Sequence, residues 1–232
     1  HTWLEENRFT KGQPETGAYL ADDLDRFAQT YGGTTIAACF VEPIAGSTGV
    51  LVPPKGYLER LREICDTHGI VLVFDEVICG FGRTGHWFGA QAFGVTPDLM
   101  TFAKGVTSGY QPLSGVLLSR DLSAEFEEPG FLLRTGYTYS GHPAACAAGI
   151  ANIELMEAED LIVRGRHVGE QVRNGLEALK STILPLAEAE GLGAHADSIR
   201  VRLRRQRTPK KSEVRPVRHS LGDGGRQKSE GT

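Results

Sequence analysis

Short apolar runs that each end in one charged residue place the strongest constraint on the fold of this 232-residue chain. Residues 71–74 are Val-Leu-Val-Phe and lead to Asp75, and residues 99–103 lead through Leu-Met-Thr-Phe-Ala to Lys104. Runs of this length suit buried strands. A helix-like apolar repeat at 56–68 precedes the first run, so strands and helices alternate. This pattern predicts an α/β unit with a mainly parallel sheet.

Apolar periodicity and turn residues predict the other elements. We expect strands at 34–41, 70–75, 98–103 and 113–119, and helices at 56–68, 143–158 and 160–182. Gly69 is expected to end the first helix. Pro143 fits the first turn of the second helix, with Ser140 or Gly141 near its cap.

Three charged residues follow the carboxyl ends of predicted strands, where parallel α/β sheets bind their ligands. Glu42 comes directly after the first strand, Asp75 ends the second, and Lys104 follows the third. We therefore expect them on one rim of the sheet. Each also has an ordinary explanation, because strand-end carboxylates are commonly turn or surface groups and lysines are usually solvated.

An amine and a carboxylate at neighbouring strand ends are the pair that a pyridoxal phosphate (PLP) enzyme needs. The amine forms a Schiff base with the cofactor aldehyde, and the carboxylate keeps the pyridine nitrogen protonated so that the ring accepts electrons. We therefore interpret Lys104 as the candidate catalytic residue and Asp75 as the candidate partner of the ring nitrogen.

Four ordered motifs resemble those of class III (omega-type) aminotransferases. They are Val41-Glu-Pro-Ile-Ala-Gly-Ser-Thr-Gly49, Phe74-Asp-Glu-Val-Ile-Cys-Gly-Phe-Gly-Arg-Thr-Gly85, Thr101-Phe-Ala-Lys-Gly105 and Gly136-Tyr-Thr-Tyr-Ser-Gly-His-Pro143. The resemblance extends over about residues 1–193. It is greatest to the omega-amino acid:pyruvate (β-alanine:pyruvate) subgroup.

The resemblance implies an incomplete large domain of a fold-type I PLP-dependent transferase, which is an α/β fold with a mainly parallel sheet and helices on both faces. The implied cofactor is pyridoxal 5'-phosphate. No metal is implied. The cofactor-binding residues carried over from the family motifs are Lys104, Asp75, Val77, Tyr137, Thr138 and Glu42.

The family pattern also implies individual roles. Val77 would lie against the cofactor ring, although it fits a core position equally well. Tyr137 and Thr138 would reach the cofactor phosphate of the partner subunit, whereas the simpler alternative is that Thr138 or Ser140 caps the following helix. Glu42 would stand near the substrate side of the site.

The implied reaction is transamination from an omega-amino acid or amine donor to a keto acid such as pyruvate, with Lys104 as the base. The full-length enzyme would be a homodimer. One alternative is an aminomutase, which moves the amine within one substrate. Another is a catalytically silent remnant that binds a cofactor or a partner.

The glycines at 80, 82 and 85 formally match a dinucleotide-binding G-x-G-x-x-G. In that fold the first glycine directly ends the strand and the third opens a helix. Here five residues separate the strand from the first glycine, and residues 86–89 look like a poor helix opening. We therefore interpret the glycines as a tight loop and keep a dehydrogenase only as a distant alternative.

Composition argues against several other classes. The chain has no apolar run near the ~20 residues of a membrane span, and no signal peptide is recognisable near His1. Its four cysteines are Cys39, Cys65, Cys79 and Cys146. They have no close partners in sequence, so we expect buried free thiols, no zinc site and a cytoplasmic location.

Basic residues concentrate at the carboxyl end. Residues 196–232 hold 11 Lys and Arg against 4 Asp and Glu, while the whole chain has a net charge of −4. A nucleic-acid-binding arm is conceivable, but the segment has no aromatic residue for stacking. We expect no nucleic-acid or membrane partner and a disordered extension foreign to the family.

We predict three parts of the chain. Residues 1–145 form part of the PLP-binding large domain, 146–193 form a helical connection and the start of a small C-terminal domain, and 194–232 form the basic tail. The family's phosphate-binding loop and carboxylate-binding arginine are expected outside the chain. We therefore expect the chain to be a fragment.

Overall fold

The computed structural model describes residues 4–7, 10, 12–127 and 129–182. The strands are β1 (Ala38–Val41), β2 (Val71–Asp75), β3 (Leu99–Phe102) and β4 (Gly115–Leu118). The helices are α1 (Asp22–Tyr31), α2 (Tyr57–His68), α3 (Gly89–Phe93), α4 (Arg120–Phe126), α5 (Pro143–Ala158) and α6 (Leu161–Thr182). Short 3-10 turns lie at Glu5–Asn7, Ala18–Ala21, Gly33–Thr35 and Lys104–Thr107.

The four strands form one sheet in the order β1-β2-β3-β4. β1, β2 and β3 run parallel, and β4 pairs antiparallel with β3. In this register Val41 lies opposite Phe74, and Asp75 lies opposite Thr101. The prediction of an α/β fold with a mainly parallel sheet is confirmed.

The main apolar core lies between one face of the sheet and helices α1 and α2. Alternate residues of β2, Leu72 and Phe74, are fully buried and pack with Leu58, Leu61 and Ile64 of α2. This alternation follows from the period of two along a strand, which sends every second side chain to the same face. Burial on this face therefore holds β2 in the centre of the sheet.

The elements agree with the predictions more closely in their type than in their ends. Helices at 143–158 and near 160–182 are confirmed, and Gly69 ends α2 with a left-handed φ of 65°. The predicted strand at 34–41 begins too early, because Gly33–Thr35 forms a 3-10 turn. Helices α1, α3 and α4 were not predicted.

The start of α5 corrects the predicted cap. The cap residue is His142, and no side chain caps this helix. Ser140 instead accepts a hydrogen bond from the backbone N–H of Tyr137 at 2.9 Å, and it donates its own N–H to the Tyr137 carbonyl. The interpretation of Thr138 or Ser140 as the cap is therefore wrong, because the Ser140 hydroxyl closes the preceding turn.

The cysteines are free thiols, and two of them meet although they are far apart in sequence. Cys65 and Cys79 are buried, whereas Cys39 and Cys146 are half-buried. A hydrogen bond from Cys65 lowers the pKa of Cys39 to about 7, against an opposing effect of burial. The same bond, together with burial, raises the pKa of Cys65.

The three-part division of the chain stays a prediction. The predicted basic tail at 194–232 lies outside the described residues. In the part of the chain that the structure covers, no helix has the length and apolar character needed to span a membrane.

Truncating the buried ring of β2 tests this core. Phe74→Ala removes a fully buried aromatic side chain, so we expect the free energy of unfolding to fall by about 3–5 kcal/mol. Phe40→Ala is the matched control, because Phe40 is 71% exposed, and we expect a change within about 0.5 kcal/mol. Urea-induced unfolding measures both, and equal effects would contradict this assignment of the core.

Candidate active site

Three neighbouring parallel strands place three of the predicted site residues on one rim of the sheet. Glu42 follows the last residue of β1, Asp75 is the last residue of β2, and Lys104 comes two residues after β3. β2 pairs with β1 on one side and with β3 on the other. Asp75 therefore stands on the central strand of the three, between the strand ends that lead to Glu42 and Lys104.

The carboxylate of Asp75 is oriented by two hydrogen bonds to the same oxygen. Its Oδ1 accepts from the backbone N–H of Val77 at 3.0 Å and from the Thr101 hydroxyl at 3.3 Å. Thr101 is the residue directly opposite in β3. Within the described residues, Oδ2 accepts no hydrogen bond. The half-buried carboxylate thus has a fixed direction and one oxygen left to accept a proton donor.

Lys104 has an unusual backbone and an exposed side chain. It begins the 3-10 turn after β3 with a φ of 46°, in the left-handed region that residues with side chains rarely adopt. Such a conformation costs on the order of 1–3 kcal/mol and persists only where the surroundings enforce it. Ala103 before it is still extended. The backbone therefore changes from an extended to a left-handed conformation at Lys104.

Close packing surrounds the turn that carries Lys104. A Cβ added at Gly105 would lie only 2.8 Å from the Cβ of Phe81, so glycine alone allows this approach of the backbone. On the other side, the Asn152 amide nitrogen of α5 donates to the carbonyls of Gly105 at 3.0 Å and Val106 at 3.1 Å. The turn is therefore held between the loop after β2 and helix α5.

Glu76, the residue after Asp75, is fully buried, and its carboxylate binds the amino end of helix α3. Its Oε2 accepts from the Gly89 N–H at 2.8 Å, and its Oε1 accepts from the Ala90 N–H at 2.7 Å. Burial raises the pKa of Glu76, the two N–H donors oppose that rise, and the charge of Asp75 adds to it.

This contact corrects the view of residues 86–89 as a poor helix opening. Helix α3 does begin at Gly89. The free N–H groups of its first turn are satisfied by a carboxylate from a distant part of the sequence, as helix amino ends favour. Local sequence carries no sign of this cap.

Glu42 closes its own loop. Its Oε2 accepts a hydrogen bond from the Gly46 N–H at 2.9 Å, and Ala45 and Leu51 pair through two backbone hydrogen bonds of 3.1 and 2.9 Å. A Cβ at Gly46 would lie 2.8 Å from Ile78. The loop after β1 thus packs on the loop after β2.

Tyr137 and Thr138 lie apart from this network of hydrogen bonds. Both are exposed, Tyr137 to 84%, in an irregular segment before α5. Among the described residues, no hydrogen bond joins either of them to Glu42, Asp75 or Lys104. Val77 is half-buried beside Asp75, and its N–H is the donor to that carboxylate.

The glycine-rich segment forms a tight loop, as predicted. Gly82 and Gly85 have φ values of 93° and 80°, and the backbone N–H groups of Phe81 and Gly82 donate to the carbonyls of Trp87 and His86. Helix α3 starts four residues after the last of these glycines. A dinucleotide-binding motif needs its third glycine at the helix opening, so this geometry does not match one.

Comparison with protein families gives a match over most of the chain. The family model described as Aminotransferase class-III matches residues 4–196. The chain belongs to the class III aminotransferase family. The family resemblance stated from the four motifs is thereby confirmed.

Two curated relatives share about half of their aligned residues with this chain. An omega-aminotransferase of Caulobacter vibrioides is 55% identical over 161 residues, which cover 68% of this chain and 37% of the relative. An omega-amino acid–pyruvate aminotransferase of Pseudomonas putida is 49% identical over 186 residues, which cover 78% of this chain and 41% of the relative. The chain thus spans less than half the length of these relatives.

Solved structures support the same fold. A transaminase from the marine bacterium Virgibacillus superposes with a TM-score of 0.67 at 44% identity, covering 70% of this chain and 37% of that one. An omega transaminase of Pseudomonas jessenii, solved in complex with PMP, gives a TM-score of 0.63 at 39% identity, covering 68% of this chain and 36% of that one. The fold-type I prediction is confirmed for the part covered.

The buried carboxylate of Glu76 makes stability depend on pH. Because its pKa in the folded chain is raised above the ordinary 4.5, the folded state holds the proton more tightly than the unfolded state. The free energy of unfolding therefore falls as the pH rises from 4.5 through the folded pKa. Glu76→Gln cannot ionise, so we expect the difference in free energy of unfolding, original minus variant, to decrease over this interval.

Urea unfolding at a series of pH values measures this difference. Glu59→Gln, at an exposed position of α2, is the matched control for the loss of one negative charge. A difference that increases with pH for Glu76→Gln would contradict the raised pKa.

Proposed function

We propose that this chain carries the catalytic lysine and the ring-nitrogen partner of a PLP-dependent aminotransferase. The reaction would move an amino group from an omega-amino acid or amine donor to a keto acid such as pyruvate. The observation that supports this most is the parallel pairing of β2 and β3, which brings Asp75 and the turn of Lys104 to one edge of the sheet. The names of the relatives supply the substrate class.

The residues on this rim fit PLP. Lys104 offers an exposed primary amine, and Asp75 offers a carboxylate oxygen that no described residue occupies. PLP, when bound, supplies an aldehyde that condenses with an amine and a protonated ring that accepts electrons. The Pseudomonas jessenii relative binds PMP, the aminated form of this cofactor, which supports the proposal.

Each of these two residues would then have one defined task. Lys104 would take and return a proton at its Nζ atom, acting as the general base and acid. Asp75 would hold a proton on the pyridine nitrogen through a charge-assisted hydrogen bond from that nitrogen to Oδ2. Val77 and Thr101 would keep the carboxylate in the required direction through its other oxygen.

The remaining predicted residues are assigned by resemblance. Val77 would lie against the ring, and Glu42 would border the substrate side while its Oε2 stays bonded to Gly46. Tyr137 and Thr138, which are exposed, would bind the cofactor phosphate of a partner subunit. This assignment makes the complete enzyme a homodimer with sites at the subunit interface.

The anchoring role of Lys104 has a direct test. When PLP is supplied to the purified chain, we expect a visible absorption band from the lysine-bound cofactor. Lys104→Ala should abolish that band, because no other amine stands at the end of β3. Lys55→Ala, which removes an exposed lysine paired with Glu15, is the control and should leave the band intact. Loss of the band in both variants, or in neither, would refute the assignment.

Asp75→Asn separates cofactor binding from catalysis. In the full-length enzyme we expect the band to persist, because Lys104 is intact, while alanine formation from pyruvate slows by about 100-fold or more, as when a charged group that stabilises the transition state is lost. Asp121→Asn, in the first turn of α4, is the control and should keep the original rate.

Product analysis distinguishes the aminomutase alternative. A transaminase consumes amino donor in proportion to the alanine that it forms from pyruvate. Isomerisation of the donor without any keto acid acceptor would contradict the proposed reaction.

A further inference from the structure

We infer that Asn152 is a positioning residue for Lys104. It lies near the middle of α5 and binds the two carbonyls that follow Lys104 in the chain, at Gly105 and Val106. The inference rests on the proposed function of Lys104. It adds a residue that the four family-like motifs do not include, because Asn152 lies nine residues after the last motif ends at Pro143.

The hydrogen bonds of Asn152 satisfy a turn that has few other donors. A short 3-10 turn leaves carbonyls without partners at its end. The Gly105 carbonyl also accepts from the Ser108 N–H at 3.1 Å. Among the described residues, the Val106 carbonyl accepts only from Asn152, and Val106 is 3% exposed. A buried carbonyl without a donor is costly, so the Asn152 amide is the group that allows the turn to stay packed.

Packing against α5 adds to this attachment. A Cβ at Gly149, one turn before Asn152, would lie 2.9 Å from Leu113 and 3.6 Å from Val106. The helix therefore approaches the turn closely enough for the short Asn152 side chain to reach it. On the far side of the turn, the Thr107 hydroxyl donates to the Gln111 carbonyl at 2.6 Å.

The attachment matters for Lys104 because that residue has a left-handed φ of 46°. A strained residue relaxes when its surroundings stop enforcing the strain. Asn152 holds the backbone directly after Lys104 and makes no bond to its side chain, so the amine stays available. If the turn loosened, Lys104 would return to negative φ, and its amine would move away from the edge where Asp75 stands.

The test uses PLP and sodium borohydride to trap the modified lysines of the purified 232-residue chain. Peptide mass spectrometry then gives the ratio of modification at Lys104 to that at the exposed reference Lys55. Asn152→Leu keeps the approximate shape but removes both N–H donors. Asn152→Gln keeps the amide. Met156→Leu is the packing control, because it conserves volume and removes only the weak hydrogen bond that the Asn152 amide donates to the Met156 sulfur at 3.6 Å.

We expect the original chain to be modified at Lys104 in preference to Lys55. Asn152→Leu should lower the ratio by about threefold to tenfold, the effect of losing one or two hydrogen bonds. Asn152→Gln should restore part of the ratio. Met156→Leu should leave the ratio unchanged, because both backbone acceptors of Asn152 stay in place, whereas a role of Asn152 in packing alone would not predict rescue by the amide of Asn152→Gln. Should Asn152→Leu fail to fold, Asn152→Ser replaces it.

Two results would overturn the inference in different ways. A preference for Lys104 that survives in folded Asn152→Leu would reject Asn152 as a positioning residue and leave the role of Lys104 standing. An original chain that shows no preference for Lys104 would reject the proposed function and, with it, this inference.

Discussion

The parallel pairing of β2 with β3 is the constraint on which the rest of the site depends. It places Asp75 opposite Thr101, so one register brings together the carboxylate, the hydroxyl that orients it and the strand that leads to Lys104. A shift by one residue would send the side chains of β3 to the opposite face. The core prevents such a shift, because Leu72 and Phe74 of β2 are completely buried against α1 and α2. Burial of apolar side chains therefore fixes the register that positions the rim residues, although the core side chains are not part of the candidate site.

Two adjacent acidic residues, Asp75 and Glu76, have different environments because of the strand geometry. Successive side chains of an extended segment point to opposite sides, so one carboxylate is half-buried at the rim and the other is fully buried. The buried one binds the amino end of α3, and burial raises its pKa. The one at the rim keeps an oxygen without a hydrogen bond among the described residues. Glu76 thus supports the loop beside the candidate site, whereas the free oxygen of Asp75 is the one that the proposed function assigns to the cofactor.

Much of the fold and the order of the candidate residues could be predicted from sequence, because both follow local signals. Short apolar runs predicted the four strands, helical apolar repeats predicted α2 and α6, and Pro143 predicted the start of α5. The strand ends predicted the rim on which Asp75 and Lys104 lie. The supporting contacts could not be predicted in the same way. Thr101 orients Asp75 through strand register, Glu76 caps α3 across 13 residues, and Asn152 reaches the turn after Lys104 across 47. Each depends on tertiary contacts that no local pattern encodes.

The strained backbone of Lys104 is held by contacts on two sides of one short turn. A lysine with a φ of 46° cannot hold its conformation alone, and a hydrogen bond to its own amine would occupy the group that the proposed function assigns to the reaction. The structure resolves this conflict by acting on the neighbouring backbone. Gly105 lets the chain pass against Phe81, and Asn152 donates to the carbonyls of Gly105 and Val106. The energy that maintains this backbone conformation is therefore supplied by neighbouring residues, and within the described part of the chain the Lys104 amine has no hydrogen-bond partner.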